Sequence, residues 1–385
     1  MNLESSILNE LFNTLNQIGS RYCVMNNYDD LPDFIPSDVD IAIDWETFRC
    51  LDSIVIELAG AYGVGVTQKI WHGYHKCAYI LSPLNIEKYF FLQLDFFVDF
   101  SGRGFPNLFP IEAMLSGKRR YKNFYIPAAE VEVPFLLQRR IFKGDIKESH
   151  VENLARLYSV DNGSVRRGII MVFGDEVGAS LCAFIESADL DQYTRNFGSY
   201  RKKLRQISRQ NTSLSYRANY ILAQAMRALY RLRYPTGISV GFVGGDKVLV
   251  RQLTKKFDEI VSGSFHGTTL IETSSVPDYL KKLLFSAYWS KVTKRKVLIK
   301  LQSSRVNWEG IFGSELLNRF IPKPDVVLYL HSDGRQSRER RVLAVSLNGT
   351  EDLKTVVPEL VRIVLGEQVR RTEKHLMDML SPTSN

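Results

Sequence analysis

Two aspartates one residue apart mark the stretch of this sequence that is best suited to chemistry. Asp38 and Asp40 lie in the segment 35–43 (IPSDVDIAI), whose apolar and β-branched residues predict a strand. Side chains two residues apart in a strand point to the same face, so the two carboxylates are expected to project together. Two like charges held that close repel each other unless a cation lies between them. Oxygen ligands on a rigid strand suit Mg²⁺, with Mn²⁺ as an alternative.

A third acid lies in a second apolar segment, 90–99 (FFLQLDFFVD), which also predicts a strand. Asp95 falls between Leu94 and Phe96, and a neighbouring strand that carries Asp38 and Asp40 would explain an acid at that position. Two metal ions shared by carboxylates are the arrangement used for in-line displacement at phosphorus. We therefore predict that Asp38, Asp40 and Asp95 are metal ligands and catalytic residues.

The segment from Arg21 to Ile43 carries a resemblance to a known family. Its strand YCVM, its turn YDDLP and its SDVD motif resemble the polymerase-β-type nucleotidyltransferase superfamily. More narrowly, they resemble the nucleotidyltransferase-like domains that bacteria fuse to thymidylate-kinase-like domains, often in surface-polysaccharide contexts. The resemblance implies that Asp38, Asp40 and Asp95 bind the metal ions and that a nucleoside triphosphate is the substrate.

The same resemblance assigns nucleotide binding to Asn26, Asn27 and Ser37. The superfamily usually has a Gly-Ser or Gly-Gly pair, which holds nucleotide phosphate, where this chain has its two asparagines. In the superfamily a basic residue on a helix after the sheet often reaches the triphosphate. A helical pattern follows the predicted sheet here, and it makes Lys143 the first candidate for that contact and Arg140 the second.

A strand, a glycine-rich turn and a helix start follow one another in the segment 238–250 (ISVGFVGGDKVLV). This is the context of a phosphate-cradling P-loop, and the segment resembles the P-loop of thymidylate-kinase-like proteins. The candidate phosphate-binding residues are Gly241, Gly244, Gly245 and Lys247. However, Asp246 replaces the second glycine of G-x-x-x-x-G-K-[ST], and Val248 replaces the hydroxyl residue that coordinates magnesium. The pattern therefore indicates a degenerate P-loop.

Three further segments resemble the thymidylate-kinase-like family. The run 297–300 (VLIK) and the run 324–330 (PDVVLYL) correspond to strands of that family, and 335–341 resembles its arginine-rich lid. The usual Asp-Arg pair is missing after the first of these strands, where Leu301-Gln302 follows Lys300. These segments together predict a fold that is retained and a phosphate site that is eroded.

Charge is unevenly distributed along the chain. Residues 1–130 hold 10 Lys+Arg and 16 Asp+Glu, whereas the remainder holds 40 and 26. A basic half suits a partner that carries phosphates, and equally a surface that is merely well solvated. The basic residues of 200–233 are interleaved with apolar ones, and no known nucleic-acid motif accompanies them. A nucleic-acid partner is therefore not favoured, and a connector between domains is predicted.

The elements together predict an α/β protein. An α+β nucleotidyltransferase-like mixed sheet is expected at 1–130, a helical connector at 131–234, and an α/β P-loop-like, mainly parallel sheet at 235–371. The segment 372–385 is expected to be a frayed tail. No apolar run is long enough to span a bilayer, and the cytoplasm is the predicted location.

The leading functional hypothesis is Mg²⁺-dependent transfer of a nucleotidyl group from an NTP to a hydroxyl or phosphate acceptor. The acceptor would be a carbohydrate or phosphorylated intermediate, for example in surface-polysaccharide biosynthesis. Two alternatives stay open. One is a P-loop phosphotransferase that acts through Lys247 and the segment 335–341, and the other is a non-catalytic scaffold with two eroded nucleotide-binding folds. Three buried carboxylates without a task would be costly, which argues against the scaffold.

Overall fold

The structure is a computed structural model that describes residues 2–73, 76–84, 89–102, 105–244, 247–265, 267–301, 306–331, 342–346 and 353–380. It is an α/β protein with one mixed and one parallel five-stranded sheet, as predicted. The chain forms two compact units. Unit 1 comprises Met1–Leu51, Trp71–Cys77 and Leu94–Met226, and unit 2 comprises Asp52–Ile70, Ala78–Gln93 and Arg227–Asn385. The domain boundaries at 130 and 234 stay predictions.

The first part of the chain contains both helices and strands, with five strands in succession from β3 to β7. In chain order they are α1 (Leu3–Gln17), β1 (Tyr22–Val24), β2 (Val39–Ile43), α2 (Trp45–Ala61), β3 (Val64–Gly73), β4 (Lys76–Pro83), β5 (Leu92–Phe97), β6 (Phe100–Gly102), β7 (Phe105–Phe109), α3 (Ile111–Leu115), β8 (Arg119–Tyr121) and β9 (Phe124–Ile126). Six helices follow: α4 (Ala129–Lys143), α5 (Glu148–Val160), α6 (Asn162–Phe173), α7 (Asp175–Ser187), α8 (Leu190–Gln210) and α9 (Leu214–Arg233).

The remaining elements belong to unit 2. They are β10 (Ser239–Gly244), α10 (Lys247–Val261), β11 (Thr268–Thr273), α11 (Val276–Lys282), α12 (Tyr288–Val292), β12 (Lys296–Leu301), α13 (Trp308–Gly313), β13 (Val326–His331), β14 (Val342–Ser346) and α14 (Leu353–Leu380). A π-helical turn at Leu283–Ala287 joins α11 to α12, and short 3-10 helices occur at Ser262–Ser264 and Leu317–Arg319.

The mixed sheet has the strand order β1-β2-β5-β4-β3. Strand β1 is antiparallel to β2, and β2 is parallel to β5 in a register that pairs Val39 with Leu94 and Asp40 with Asp95. All five residues of β2 are buried, as expected for a strand with a neighbour on each side and apolar side chains on both faces. The β2–β5 pairing therefore brings the two predicted metal strands side by side.

Helix α4 is held in place by close packing with α6. A Cβ atom at Gly168 of α6 would clash with the carbonyl oxygen of Glu130 in α4, so only glycine allows this approach. Leu137 of α4, Ile169 of α6 and Leu204 of α8 belong to one buried apolar core that also includes Ala42 of β2. This core fixes the helix that carries the predicted basic residues relative to β2.

The parallel sheet of unit 2 has the order β11-β12-β10-β13-β14. Phe242 and Leu328 pack in one apolar cluster and Ile299 and Val327 in another, so both faces of the sheet are covered. Strands were correctly predicted at 297–300 and 324–330, and β10 is followed by α10 in the order expected of a P-loop.

The predicted phosphate-binding turn is only partly described. Gly241 lies inside β10, and Gly244 ends that strand with a φ of 77°, a left-handed conformation that favours glycine. Gly245 and Asp246, the side chain of Lys247, and the segment 335–341 lie outside the described residues. The role of this turn in phosphate binding therefore stays a prediction.

The prediction of a frayed tail from Thr372 is wrong as far as Leu380. Helix α14 continues to Leu380, and Leu376 is fully buried. Thr372 Oγ1 donates to Thr67 O at 3.0 Å, and Glu373 Oε1 accepts from Val66 N at 3.2 Å, so β3 anchors this part of the helix. Residues 381–385 lie outside the described part of the chain. No helix in the described part is both long and apolar enough to cross a membrane.

Candidate metal centre

Three carboxylates from two neighbouring strands converge in unit 1. Asp38, Asp40 and Asp95 each offer one oxygen, and these oxygens all lie within 4.8 Å of one another. Asp38 immediately precedes β2 and Asp40 is its second residue, so the alternation of side chains puts both on one face. The parallel register then puts Asp95 of β5 opposite Asp40. The acids predicted from the sequence are therefore brought together.

The three acids differ in their exposure to solvent. Asp40 and Asp95 are each only 3% exposed, whereas Asp38 is exposed. Asp38 also has no ion-pair partner among the described residues. The cluster thus has two buried acids and one acid at its solvent side, and an ion could reach it from there. Because buried charges are costly without partners, the two inner acids require cations or hydrogen bonds.

Two basic side chains partly meet this requirement. Arg139 Nη1 of α4 donates to Asp40 Oδ2 at 2.8 Å, and its side chain is 20% exposed. Lys76 Nζ of β4 lies 3.4 Å from Asp95 Oδ2 and 4.0 Å from the centre of the Phe97 ring. Neither residue was predicted from the sequence as part of the site. Helical spacing alone could have indicated Arg139, since it shares a face of α4 with Lys143.

The two basic residues that were selected on α4 have different environments. Lys143 follows Arg139 by one helical turn, and burial lowers its pKa, as do the charges of Arg139 and Arg140. Arg140 is engaged elsewhere, because its Nη1 lies 3.1 Å from Asp145 Oδ1 and 3.0 Å from a ring nitrogen of His150. Of the two candidates, Lys143 is thus the one placed beside Arg139. Triphosphate binding by either residue stays a prediction.

The asparagine pair lies beside the acids. In the amide orientation that satisfies both neighbours, Asn26 Nδ2 donates to Asp40 Oδ2 at 3.1 Å and Asn26 Oδ1 accepts from Arg139 Nη1 at 3.2 Å. Asn27 has a φ of 51°, a conformation that asparagine adopts more readily than most residues. Ser37 is exposed, and its hydroxyl donates to Asp38 O at 3.3 Å. Asn26 therefore orients the Asp40–Arg139 ion pair, a contact that a glycine could not make.

Helix α4 carries a further buried acid, Glu132, which was not predicted from the sequence. Glu132 is 1% exposed; Tyr28 Oη donates to its two oxygens at 2.8 and 3.0 Å, and Arg119 Nη2 lies 3.4 Å away. Burial raises the pKa of Glu132 to about 7, although the Tyr28 hydrogen bond and the Arg119 charge oppose the shift. An acid between two valines in a helical pattern was the available signal.

We expect Glu132 to make the folded protein less stable as the pH rises from about 5 to about 7. A carboxyl group whose pKa is raised by folding, here from 4.5 to about 7, binds an additional proton in the folded state between these two values, so its contribution is full below the first and is lost above the second. The full change is on the order of 3 kcal/mol. Urea unfolding at pH 5 and pH 8 of wild type and Glu132→Gln measures it. Equal pH dependence in the two proteins would contradict the assignment.

The donor set of the cluster fits a hard divalent cation. Its three ligands are all carboxylates, the ligand type that Mg²⁺ and Mn²⁺ prefer over nitrogen or sulfur. Opposite ligands of one magnesium ion lie about 4.2 Å apart, so the 4.8 Å limit on the oxygen separations requires only small side-chain rotations. The residues present can therefore hold such an ion.

Comparison with known proteins adds no assignment to this geometry. No family model matches the chain, and neither a curated protein nor a solved structure matches it. The resemblance to nucleotidyltransferases thus depends on the segment 21–43 and on the chemistry of the acids. The structure shows a cluster of three acids in unit 1, at two strands of the mixed sheet. This cluster could hold a metal ion.

Proposed function

We propose that the acid cluster binds Mg²⁺ or Mn²⁺ and that the protein transfers a nucleotidyl group from an NTP to a hydroxyl or phosphate acceptor. The observation that carries the proposal is the convergence of Asp38, Asp40 and Asp95 from two paired strands. Carboxylate-held magnesium is the usual means of binding substrate phosphates. The acceptor class, a carbohydrate or phosphorylated intermediate, comes from the resemblance of the segment 21–43.

The charge of the site supports a divalent ion together with a triphosphate. Three carboxylates with Arg139 and Lys76 nearby carry a net charge of −1. A divalent ion would change this to +1, which favours an incoming polyanion. Because each carboxylate has two oxygens, Asp40 can keep Arg139 on Oδ2 while its other oxygen remains available as a ligand.

Each side chain of the site would have a separate role in the transfer. Asp38, Asp40 and Asp95 would hold the ion, which supplies charge neutralisation at the phosphates when it is bound. Lys143 would donate to a phosphate oxygen, and Arg139 would orient Asp40. The acceptor hydroxyl attacks the α-phosphorus and the bond to pyrophosphate breaks. An oxygen of Asp95 would accept the hydroxyl proton in this step.

We expect Mg²⁺ to raise the melting temperature of wild type and not that of Asp38→Asn. A ligand that binds only the folded state at a hundred times its Kd stabilises that state by about 2.7 kcal/mol, which corresponds to several degrees. Asp38 is exposed and has no ion-pair partner in the described part of the chain, so its replacement does not threaten folding. A thermal scan with Mg²⁺ and with chelator makes the comparison.

A matched control comes from the same unit. Asp33 is also an exposed acid, 73% accessible, and its nearest cation among the described residues is Lys122 at 3.5 Å. Asp33→Asn should therefore keep the full magnesium response. Equal responses of the Asp38 and Asp33 variants, or no response in wild type, would contradict metal binding at the cluster.

A further inference from the structure

A cavity of about 440 Å³ lies in unit 2, whereas the acid cluster belongs to unit 1. It is lined by the end of α9, the last part of α14 and Lys69 of β3, together with Pro235 and Thr236, which precede β10. Its volume is in the range that holds a small molecule. Pro235 and Thr236 precede β10, whereas the predicted glycine-rich turn follows that strand. The cavity is therefore not the predicted P-loop site.

Five of the thirteen residues that line the cavity are Lys or Arg. The five permanent cations are Lys69, Arg233, Arg370, Arg371 and Lys374. Asp378 is the only carboxylate among the described residues that line it. A cavity lining with this excess of positive charge attracts anions.

Three of the five cations are paired with acids, which leaves two for a ligand. Lys69, Arg370 and Arg371 have carboxylate oxygens at 2.7, 2.8 and 3.3 Å, from Asp52, Glu367 and Asp325 in that order. Arg233 and Lys374 have no carboxylate within 4.0 Å in the part of the chain that the structure describes, and both are exposed to solvent. Asp325 also pairs with Lys291 at 2.7 Å, so the six cations and the four acids, Asp378 included, give a net charge of +2, which suits one phosphate group rather than a long polyanion.

The same cavity offers a stacked aromatic pair, with the Arg233 guanidinium 5.4 Å from the centre of the Tyr234 ring, and an unpaired hydrogen-bond acceptor. The rings of Tyr234 and His375 are stacked with their centres 3.9 Å apart, and Tyr230 Oη hydrogen-bonds to His375 Nε2. Gln368 is 2% exposed; its Nε2 donates to Thr236 O at 2.8 Å, while its Oε1 has no hydrogen-bond partner among the described residues. A buried acceptor left unpaired is costly, and a ligand N–H or O–H would satisfy it.

We propose that this cavity binds a phosphate monoester that carries a ring, such as a nucleoside monophosphate or a sugar phosphate. Its phosphate contacts Arg233 and Lys374, its ring packs on Tyr234 and His375, and a polar hydrogen of the ligand reaches Gln368 Oε1. The proposal does not depend on the function proposed for the acid cluster. A failure of one therefore leaves the other standing.

Isothermal titration in the presence of chelator tests the proposal, because the acid cluster then holds no metal. The probes are the four common nucleoside monophosphates, ribose 5-phosphate and inorganic phosphate. We expect at least one monoester to bind more tightly than inorganic phosphate. Lys374→Glu and Arg233→Glu should each raise its Kd at least tenfold, a change of about 1.4 kcal/mol. Both residues are exposed, so neither replacement removes a buried contact.

Two control variants keep the test specific. Lys256→Glu makes the same charge change on the exposed side of α10 in unit 2, and Asp33→Asn removes an exposed charge from unit 1. Both should leave the Kd within about twofold of wild type, a change of roughly 0.4 kcal/mol. Binding that Lys256→Glu weakens as much as Lys374→Glu does would overturn the proposal. So would binding of single-stranded oligonucleotides with no binding of any monoester.

Discussion

We expect Asp40→Asn to lose most of the nucleotidyl transfer rate and Lys247→Ala to keep it. The first change removes an anionic ligand from a buried position that is 3% exposed and leaves Arg139 without its carboxylate partner. Loss of metal-based stabilisation costs several kcal/mol at the transition state, or roughly a hundredfold or more in rate. Lys247 is flanked in the sequence by Asp246 and Val248, which already disfavour phosphate and magnesium. Transfer of label from α-labelled NTPs to acceptors in a cell extract measures both rates.

Folding must be monitored in the same variants. Asp33→Asn removes one charge from an exposed position of unit 1 and is expected to keep the full transfer rate. Melting curves for all three variants separate a lost ligand from a lost fold. If Lys247→Ala abolished transfer while Asp40→Asn spared it, the assignment would be inverted and unit 2 would be the enzyme.

The second large effect concerns stability in the absence of metal. We expect Arg139→Ala to lower the free energy of unfolding by about 2–4 kcal/mol, because it leaves the buried Asp40 carboxylate without its ion-pair partner. The value lies toward the lower end of the usual range because the Arg139 side chain is one-fifth exposed. Urea unfolding in chelator measures the loss.

A double-mutant cycle separates the pair from other effects of the arginine. Arg139→Ala combined with Asp40→Asn should cost less than the sum of the two single changes, with a coupling of about 1–3 kcal/mol. Arg21→Ala is the control, since it breaks an exposed pair with Glu112 in the same unit that contributes no more than about 1 kcal/mol. Additive costs, or a cost no larger than that of Arg21→Ala, would show that the Arg139–Asp40 pair contributes little.

The sequence predicted the local part of the site. Alternation along the segment 35–43 was enough to put Asp38 and Asp40 on one face, since this geometry belongs to a single strand. The approach of Asp95 depends on the parallel register between β2 and β5, which is set by tertiary pairing and cannot be read from either segment. The one sequence signal for the role of Asp95 was its position as an acid inside an apolar strand.

Which basic residues pair with the acids of the site also depends on tertiary structure. Choosing among Arg139, Arg140 and Lys143 requires knowing which face of α4 meets β2, and the close approach of α6 at Gly168 helps to fix this. Lys76 reaches Asp95 from another strand, so no local pattern indicates that pair.

The helical end of the chain, by contrast, could have been predicted. Apolar residues recur at Val361, Leu365, Val369 and Leu376, which is helical spacing, and all four are buried in α14. Residues 381–385 (SPTSN) lack this apolar pattern and favour a loop, but they are only the last part of the segment predicted to be a tail.

The fate of the NTP phosphates tests the central claim most directly. Wild-type protein is incubated with Mg²⁺, a cell extract as acceptor source, and each of the four NTPs labelled at either the α- or the γ-phosphate. Nucleotidyl transfer predicts that α-label passes to an acceptor while γ-label is released as pyrophosphate, and that chelator stops both. Transfer of γ-label to the acceptor, with α-label left in the nucleoside diphosphate, would contradict it and identify a phosphotransferase.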